Sequence, residues 1–376
     1  MEQHPEQNLR IPGPTPIPAD VRKALARPMI NHRGPEFAAL LASVSQRLQH
    51  FFQTEQPILT FPAAGSGAME AAVVNCFSPG DAVLAVTIGV FGNRFAKIAE
   101  TFGLRVTRLE VPWGHTADPA EVAQALDDLP DAKGVLLTHN ETSTGVMNPL
   151  EALARAVRAA RPDVLLLVDA VSSLGCVDVQ MDTWGIDVLF TASQKGWMAP
   201  PGLAMVAASP RAWEAVERAA LPRFYWDFRN VRKSLDKGQT PYTPPVSLFF
   251  ALDVSLAMMA AEGREVVFAR HQRVADLTRN RARALGLSLF GDPAHASNTV
   301  TALSVPQDVD AKSLVKGLRE RENVIISGGQ ERLEGQIIRI GHLGYVHESD
   351  LAACMDALER QLAVLGYVAP AHTVER

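Results

Sequence analysis

Two residues of opposite charge, Asp169 and Lys195, each follow an apolar run that is typical of a buried strand. Asp169 ends the run VLLLVD, where a carboxylate is unfavourable unless it is paired or functional. Lys195 ends the run IDVLFTASQK, and the following GWMAPPG predicts a packed turn. If the two strands are parallel neighbours, both side chains project from the sheet edge where ligands bind. The simpler roles are a helix cap or turn for Asp169 and a surface position for Lys195.

A buried amine beside a carboxylate is the pair of groups that pyridoxal 5'-phosphate requires. Its aldehyde condenses with a lysine whose pKa is lowered by burial and neighbouring charges, and an aspartate keeps its ring nitrogen protonated. The cofactor also needs a phosphate site. Gly65, Ser66 and Gly67 open a predicted helix whose free N–H groups and positive dipole end favour a dianion. A plain tight turn is the alternative for this segment.

Arg339 is the candidate for binding an anionic substrate. It lies in IIRIG, where the flanking isoleucines predict a buried strand, and a buried guanidinium requires an anionic partner. That partner is either a carboxylate of the protein, in a structural ion pair, or a carboxylate of the substrate. Arg33, in NHRGPEF, is either a second basic group of the same site or a surface residue.

The composition favours a two-domain protein that binds a small ligand. A chain of 376 residues exceeds one ordinary domain, and 47% hydrophobic residues suffice for a large core. Acidic residues outnumber basic ones by 41 to 36, which argues against a nucleic-acid binder or a polybasic membrane protein. Among the few lysines, only Lys195 combines a predicted strand end with a following Pro-Pro-Gly turn.

We expect neither a metal site nor a secretory location. Cys76, Cys176 and Cys354 are widely spaced without a CxxC pair, and the histidines form no HExxH pattern. No run approaches the roughly 20 apolar residues of a membrane span, and the N-terminus lacks the pattern of a signal peptide. The expected location is therefore cytoplasmic, without nucleic-acid or membrane partners.

From residue 80 the sequence alternates short apolar runs with amphipathic stretches. Runs such as AVLAV, GVLLTH and VLLLVDAV fit strands that are buried on both faces. Helix-like stretches such as DPAEVAQALDDL separate them, and Asp118 is the predicted N-cap of that helix. The alternation predicts an α/β fold with a mainly parallel sheet between layers of helices.

The chain divides into three predicted parts. Residues 1–18 form an extended, proline-rich arm that lies across a partner or a cleft, residues 19–262 form the large domain, and residues 263–376 form a smaller α+β domain. A long helix is predicted from Leu248 to about Glu262. The aromatic and proline-rich segment 221–247 is predicted to be an ordered excursion rather than a helix or a flexible linker.

Several motifs occur in a consistent order over almost the whole chain: PGPTPIP, GSGAMEAA, THNETSTG, LVDAVSSLG, SQKGWMAPPG, TPYTPPVS and RIGHLG. On these motifs the chain resembles the alanine/serine–glyoxylate (serine–pyruvate) aminotransferase family, in class V of the fold-type I enzymes that use pyridoxal 5'-phosphate. The resemblance implies that fold, that cofactor, and a homodimer whose active sites lie at the subunit interface.

The resemblance also implies roles for individual residues. Lys195 is the Schiff-base residue and Asp169 is the partner of the pyridine nitrogen. Arg339 holds the substrate carboxylate, and Gly13 and Arg33 belong to the same substrate site. The further cofactor contacts are Ser66, Gly67 and Gln194 at the phosphate, Ala68, Phe91 stacking where the family often has tryptophan, Thr142 near the phenolic oxygen, Val171 under the ring, Thr240, and Thr243 of the partner subunit.

The implied reaction transfers an amino group from alanine or serine to glyoxylate or pyruvate, with ping-pong kinetics. Two other reactions on the same scaffold are alternatives. Pyridoxamine–pyruvate transamination would keep the same lysine, aspartate and arginine, whereas desulfurase-like lyase chemistry needs a reactive cysteine on a mobile loop. A non-catalytic α/β binding module, from a different class, would need no reactive lysine.

Overall fold

The computed structural model of the chain describes residues 7–369. Its helices are α1 Ala19–Leu25, α2 Pro35–Phe52, α3 Gly65–Cys76, α4 Val90–Thr101, α5 Pro119–Asp127, α6 Leu150–Ala160, α7 Pro210–Arg218, α8 Phe228–Leu235, α9 Val246–Glu262, α10 Arg264–Ala284, α11 Ala311–Glu322 and α12 Glu348–Val364. Its strands are β1 Asn8–Leu9, β2 Ile58–Phe61, β3 Ala82–Thr87, β4 Arg105–Glu110, β5 Ala132–Thr138, β6 Asn140–Glu141, β7 Val146–Met147, β8 Leu165–Asp169, β9 Val188–Ala192, β10 Ala204–Ala208, β11 Val300–Ser304, β12 Val324–Ile325, β13 Ser327–Gly328 and β14 Ile337–Gly341.

Seven strands form the central sheet, in the order β2-β10-β9-β8-β5-β3-β4. All neighbouring pairs from β9 to β4 are parallel, and β10 is antiparallel to both β9 and β2. The α/β class and the mainly parallel sheet predicted from the sequence are therefore confirmed. The predicted N-cap is also confirmed, because the Asp118 side chain accepts a hydrogen bond from the Ala120 N–H at 2.7 Å.

The central sheet lies between two hydrophobic cores, which explains why its strands are apolar on both faces. Alternate side chains of β3 enter different cores: Leu84 and Val86 join one, and Val83 and Ala85 join the other. The first core also contains side chains of α2, α5, α6 and α9, and the second contains side chains of α3, α4 and α7. The layered arrangement fixes the sheet edge at which the strands end.

A second unit follows the long helix α9. Strands β11, β14 and β13 form an antiparallel sheet that packs with α10, α11 and α12 around a separate core. The chain bends by 88° between α9 and α10, at Gly263. Within residues 7–369 no single helix is long and apolar enough to cross a membrane, and only α9 and α10 taken together pass that test by length and composition.

The segment 221–247 departs from our prediction, because part of it is the helix α8. The Asp227 side chain caps this helix by accepting a hydrogen bond from the Arg229 N–H at 3.0 Å. Phe228 and Val231, one turn apart, are its buried residues. The capping hydrogen bond and the two buried side chains thus stabilise a helix in a segment whose aromatic and basic composition did not predict one.

The described part of the N-terminal arm contacts this same chain. Strand β1 pairs in parallel with β12 of the second unit, and the Gly341 N–H donates to the Arg10 carbonyl at 2.7 Å. Farther along, the Thr15 N–H donates to the Gln194 carbonyl at 3.1 Å, beside Lys195. Residues 7–18 therefore cross from the second unit to the edge of the central sheet. Residues 1–6 of the predicted arm lie outside the described residues.

Candidate active site

The structure brings Asp169 and Lys195 together at the carboxyl edge of the central sheet. Strands β8 and β9 are parallel neighbours, as the sequence led us to expect, with Asp169 opposite Phe190. Both side chains line one cleft with a volume of about 290 Å³. The predicted site residues that line this cleft are Gly13, Ser66, Phe91, Asp169, Val171, Gln194 and Lys195.

Asp169 is a buried carboxyl group, with only 4% of its surface exposed. Its Oδ1 accepts a hydrogen bond from the Val171 N–H at 2.9 Å, which orients the group at the end of β8. Burial raises the pKa of Asp169 to about 7, and the hydrogen bond from Val171 and the positive charge of Lys195 only partly oppose this rise. A cationic ring nitrogen facing this carboxyl would favour its ionised form.

The turn that carries Lys195 is fixed by packing beneath it. Trp197 is fully buried, and its indole N–H donates to the Thr191 Oγ1 at 3.0 Å. The ring of Phe52 stacks on Trp197 with 6.2 Å between the ring centroids. A Cβ added at Gly196 would lie 2.5 Å from the Cys176 Sγ, so only glycine fits there without rearrangement. These contacts determine the direction of the Lys195 side chain.

The N-terminal segment closes over Lys195 from the other side. The Lys195 Nζ donates a hydrogen bond to the Pro12 carbonyl at 2.5 Å. Gly13 has a φ of +134°, and a Cβ there would lie 2.7 Å from the Nζ. Burial lowers the pKa of Lys195 to about 8, with Arg339 and Arg94 lowering it further and Asp169 opposing. The amine is thus neutral at a lower pH than an exposed lysine.

The first turn of α3 provides an anion site at the same cleft. Its N-cap is Ala64, whose side chain makes no capping hydrogen bond, and the turn contains no acidic residue. The Gly67 N–H already donates to the Ala64 carbonyl at 2.9 Å, so the Gly65 and Ser66 N–H groups and the Ser66 hydroxyl are the donors of this turn for an anion. The Gln194 Oε1 is buried without a hydrogen-bond partner within the described residues, which indicates that a ligand with a hydrogen-bond donor lies beside it.

Apolar groups complete the cleft. Val171 contacts the start of α3 so closely that a Cβ at Gly65 would lie 2.8 Å from its Cγ2. Phe91 and Met69 also line the cleft. An amine, a carboxyl group, an anion site and apolar walls are the groups that pyridoxal 5'-phosphate needs, so the residues present fit this cofactor.

Arg339 lies on β14 and is 6% exposed. Its Nε donates to the Gly328 carbonyl at 2.9 Å, and its Nη1 donates to the Thr142 carbonyl at 3.1 Å. Within residues 7–369 it forms no ion pair, so the structural ion pair considered as its alternative role is absent there. Burial lowers the pKa of Arg339 to about 10, and the nearby Glu141 opposes this shift. Arg339 thus retains capacity for a bound carboxylate.

Glu141 is a residue of this region that the sequence reasoning missed. It is fully buried, and its carboxylate accepts hydrogen bonds from the N–H groups of Phe91 at 2.9 Å, Gly92 at 3.2 Å and Ser143 at 3.1 Å. Burial raises the pKa of Glu141. This carboxylate holds the start of α4, and with it Phe91, against the segment that carries Thr142. An acidic residue inside the motif HNETSTG was the available signal.

Several predicted site residues do not line the cleft, and Arg339 is one of them. Ala68 is fully buried in the core behind α3, and Gly67 faces Ala63 and Trp226. Thr142 is buried and contacts Arg339 through its backbone carbonyl. Arg33 and Thr240 form a separate group, in which the Arg33 Nη1 donates to the Thr240 carbonyl at 2.6 Å, and Thr243 is exposed nearby in sequence.

The described residues contain no group of three or more His, Cys, Asp or Glu side chains that could hold a metal ion. The three cysteines are all buried, and none lines the cleft. Burial raises the pKa of Cys176 and of Cys354 to about 12.

Comparison with known proteins adds evidence to the geometry. Residues 20–351 match the family Aminotransferase class-V. The chain is 45% identical to the soluble hydrogenase, small subunit, of Synechococcus sp., over 96% of this chain and 94% of that protein. It is 41% identical to L-aspartate–glyoxylate aminotransferase of Paracoccus denitrificans, over 95% and 91%. The structure of alanine–glyoxylate aminotransferase from Nostoc sp. matches with a TM-score of 0.92 and 32% identity, over 96% of both chains.

We predict that Lys195 reacts with amine reagents at unusually low pH in the cofactor-free protein. Its modification by acetic anhydride, followed by mass spectrometry, should be half-maximal near pH 8, because burial disfavours the ammonium form. The exposed Lys97 serves as the internal control for access of the reagent. Asp169→Asn should move the midpoint of Lys195 downward, since the aspartate stabilises the ammonium. A midpoint for Lys195 at about 10.4, the value of a fully solvated lysine, would refute the prediction.

Proposed function

The chain belongs to the class-V aminotransferases, and on this premise we propose that it transfers the amino group of a small amino acid, alanine or serine, to glyoxylate or pyruvate. The single observation that supports the proposal best is the amine of Lys195 in one cleft with the buried carboxyl of Asp169. The relatives from Paracoccus denitrificans and Nostoc sp. are both named for glyoxylate, which makes glyoxylate the first acceptor to test. The Synechococcus relative is named as a hydrogenase subunit. The ionisable residues that line the cleft of this chain are Arg94, Asp169 and Lys195, which fit amino transfer.

Pyridoxal 5'-phosphate, when bound, supplies an aldehyde that takes up the amino group and a ring that delocalises the electrons released at the substrate Cα. Lys195 would hold it covalently, Asp169 would face its ring nitrogen, and Ser66 with Gln194 would hold its phosphate. Phe91 and Val171 would supply the apolar walls on the ring. All six residues line the cleft.

The site residues then have separate roles in the reaction. The Nζ of Lys195 in its neutral form accepts the proton from the Cα of the amino donor, and in the second half-reaction it gives a proton to the Cα of the acceptor; the lowered pKa of this amine favours both transfers. Asp169, ionised when it faces a cation, keeps the ring nitrogen protonated. Arg339 pairs with the α-carboxylate, orienting the Cα–H bond toward the amine. The segment with Pro12 and Gly13 limits access of water to Lys195.

Both substrates use one site in turn in this scheme. The amino donor leaves as an oxo acid before the acceptor enters, so initial-rate plots should be parallel, as in ping-pong kinetics. The desulfurase-like alternative is disfavoured, because no cysteine lines the cleft and all three are buried. Pyridoxamine as the amino donor keeps the same residues and therefore enters the test below as a separate donor.

The proposed function predicts that the protein with pyridoxal 5'-phosphate converts alanine or serine plus glyoxylate to glycine and an oxo acid. Donors should be screened singly by single-turnover absorbance, with aspartate and pyridoxamine included. Lys195→Ala should still bind the cofactor but lose at least about a hundredfold in rate, because it lacks the proton-transferring amine. Lys97→Ala, an exposed control, should keep full activity.

Borohydride reduction gives the second readout of the same experiment. In the wild type it should attach the cofactor to Lys195, as peptide mass spectrometry will show. Attachment to another lysine, or nearly normal transamination by Lys195→Ala, would refute the assignment. If pyridoxamine is the only amino donor that is turned over, pyridoxamine–pyruvate transamination is favoured instead.

Arg339→Ala should raise the KM for amino acids and oxo acids together, by about 10- to 150-fold. This range corresponds to the loss of a charge-assisted interaction of roughly 1.5–3 kcal/mol. Arg339→Lys keeps the charge but lacks the planar fork, so its KM should lie between those of the wild type and Arg339→Ala. Steady-state kinetics with both substrates varied would measure the effect. Unchanged KM values with a lowered Tm would mean that Arg339 only supports the fold.

We further propose a homodimer in which Thr243 reaches the cleft of the partner subunit. Thr243 and Thr240, assigned to the cofactor by resemblance, do not line the cleft of their own chain. They adjoin an aromatic patch of Phe224, Tyr225 and Tyr242, in which Phe224 is 75% exposed and Tyr225 is 39% exposed. Exposed apolar patches of this kind mark interaction surfaces. These observations support the dimer proposal.

Light scattering should give twice the chain mass of 40.7 kDa. In addition, mixing Lys195→Ala with Thr243→Glu, followed by subunit exchange, should restore activity, because one site of the mixed dimer combines an intact Lys195 with an intact Thr243. Each variant alone serves as the control and should be poorly active. A monomeric mass, or no recovery after verified exchange, would contradict the proposal.

A further inference from the structure

We propose that Arg94 is a further cofactor-binding residue that pairs with the phosphate of pyridoxal 5'-phosphate. The inference rests on the proposed use of this cofactor and deepens it. Arg94 lies on α4 and lines the same cleft as Ala64, Gly65 and Ser66 of the anion site. Neither the sequence reasoning nor the resemblance assigned it a role.

The guanidinium of Arg94 already contacts the anion site. Its Nη1 donates a hydrogen bond to the Ser66 Oγ at 3.3 Å. In this bond Ser66 is the acceptor, so its own O–H can still donate to an anion. A phosphate oxygen beside the Ser66 hydroxyl would therefore be within reach of Arg94 as well, with the planar fork suited to two hydrogen bonds.

Phe91 positions the Arg94 side chain. The two residues are three apart on α4, so they share one helix face. The central guanidinium carbon of Arg94 lies 4.7 Å from the centroid of the Phe91 ring, within the range of a cation–π contact. This contact directs the charge toward the cleft mouth, although the residue as a whole is exposed to solvent.

The charge balance of the cleft supports the same role. A phosphate monoester carries nearly two negative charges at neutral pH. Only Arg94 and Lys195 among the cleft-lining residues are cationic, and the proposed reaction needs Lys195 neutral. Within the described residues Arg94 pairs with no carboxylate, whereas Lys97, one turn farther along α4, lies 3.5 Å from Glu100. The α3 turn thus supplies N–H groups, and Arg94 supplies the formal positive charge.

The test compares two ligands that differ only by the phosphate. Apoenzyme of the full chain is titrated with pyridoxal 5'-phosphate and with pyridoxal, and the dissociation constants are read from absorbance. Arg94→Ala should raise the Kd for pyridoxal 5'-phosphate about tenfold, as expected for loss of one charge-assisted contact, and leave that for pyridoxal within about twofold. Arg94→Lys should fall between the wild type and Arg94→Ala. Lys97→Ala, on the same helix, should match the wild type.

Inorganic phosphate provides an independent readout. It should raise the Tm of the wild-type apoenzyme, and this increase should be smaller in Arg94→Ala. The proposal is overturned if Arg94→Ala binds pyridoxal 5'-phosphate as tightly as the wild type, or if both ligands weaken equally, which would assign Arg94 to the support of Phe91. Failure of the wild type to bind pyridoxal 5'-phosphate at all would instead overturn the proposed function, and this inference with it.

Discussion

The burial of one amine beside one carboxyl group is the constraint on which the rest of the structure depends. Burial disfavours the charged form of each group, moving the pKa of Lys195 down to about 8 and that of Asp169 up to about 7. These opposed shifts bring both pKa values close to neutral pH, where a group can both accept and donate a proton. Burial of two ionisable groups costs desolvation free energy, and perturbed pairs of this kind are typical of active sites.

The surrounding fold holds Asp169 and Lys195 in place despite the free-energy cost of burying them. Parallel pairing of β8 with β9 sets the spacing, and the packing of Trp197 holds the lysine turn from below. The N-terminal segment holds it from above, through the Pro12 carbonyl. The same segment also contacts the strand that carries Arg339, because the Gly341 N–H of β14 donates a hydrogen bond to the Arg10 carbonyl.

Buried charges away from the reacting pair follow a second pattern. Glu141 satisfies its carboxylate with backbone N–H groups at the start of α4, while Arg339 satisfies most of its guanidinium with carbonyl groups. Hydrogen bonds to backbone groups therefore compensate the burial of each charge, and Glu141 and Arg339 form no salt bridge with each other. Arg339 is therefore able to pair with a substrate carboxylate. Glu141 holds Phe91 through its N–H group, and the Phe91 ring contacts the guanidinium of Arg94.

The sequence by itself determined the alternation of strands and helices, the parallel sheet, and the placement of Asp169 and Lys195 at strand ends, because periodicity and turn residues are local properties. It did not predict α8, which a capping side chain and two buried side chains stabilise although the composition of the segment argues against a helix. It also did not predict roles for Glu141 and Arg94. Only the tertiary structure decided which residues meet: it placed Ser66 and Phe91 in the cleft, left Ala68 and Arg33 outside it, and turned Arg94 toward Ser66. The physical reason is that side-chain contacts between distant segments depend on how layers pack, which no local pattern encodes.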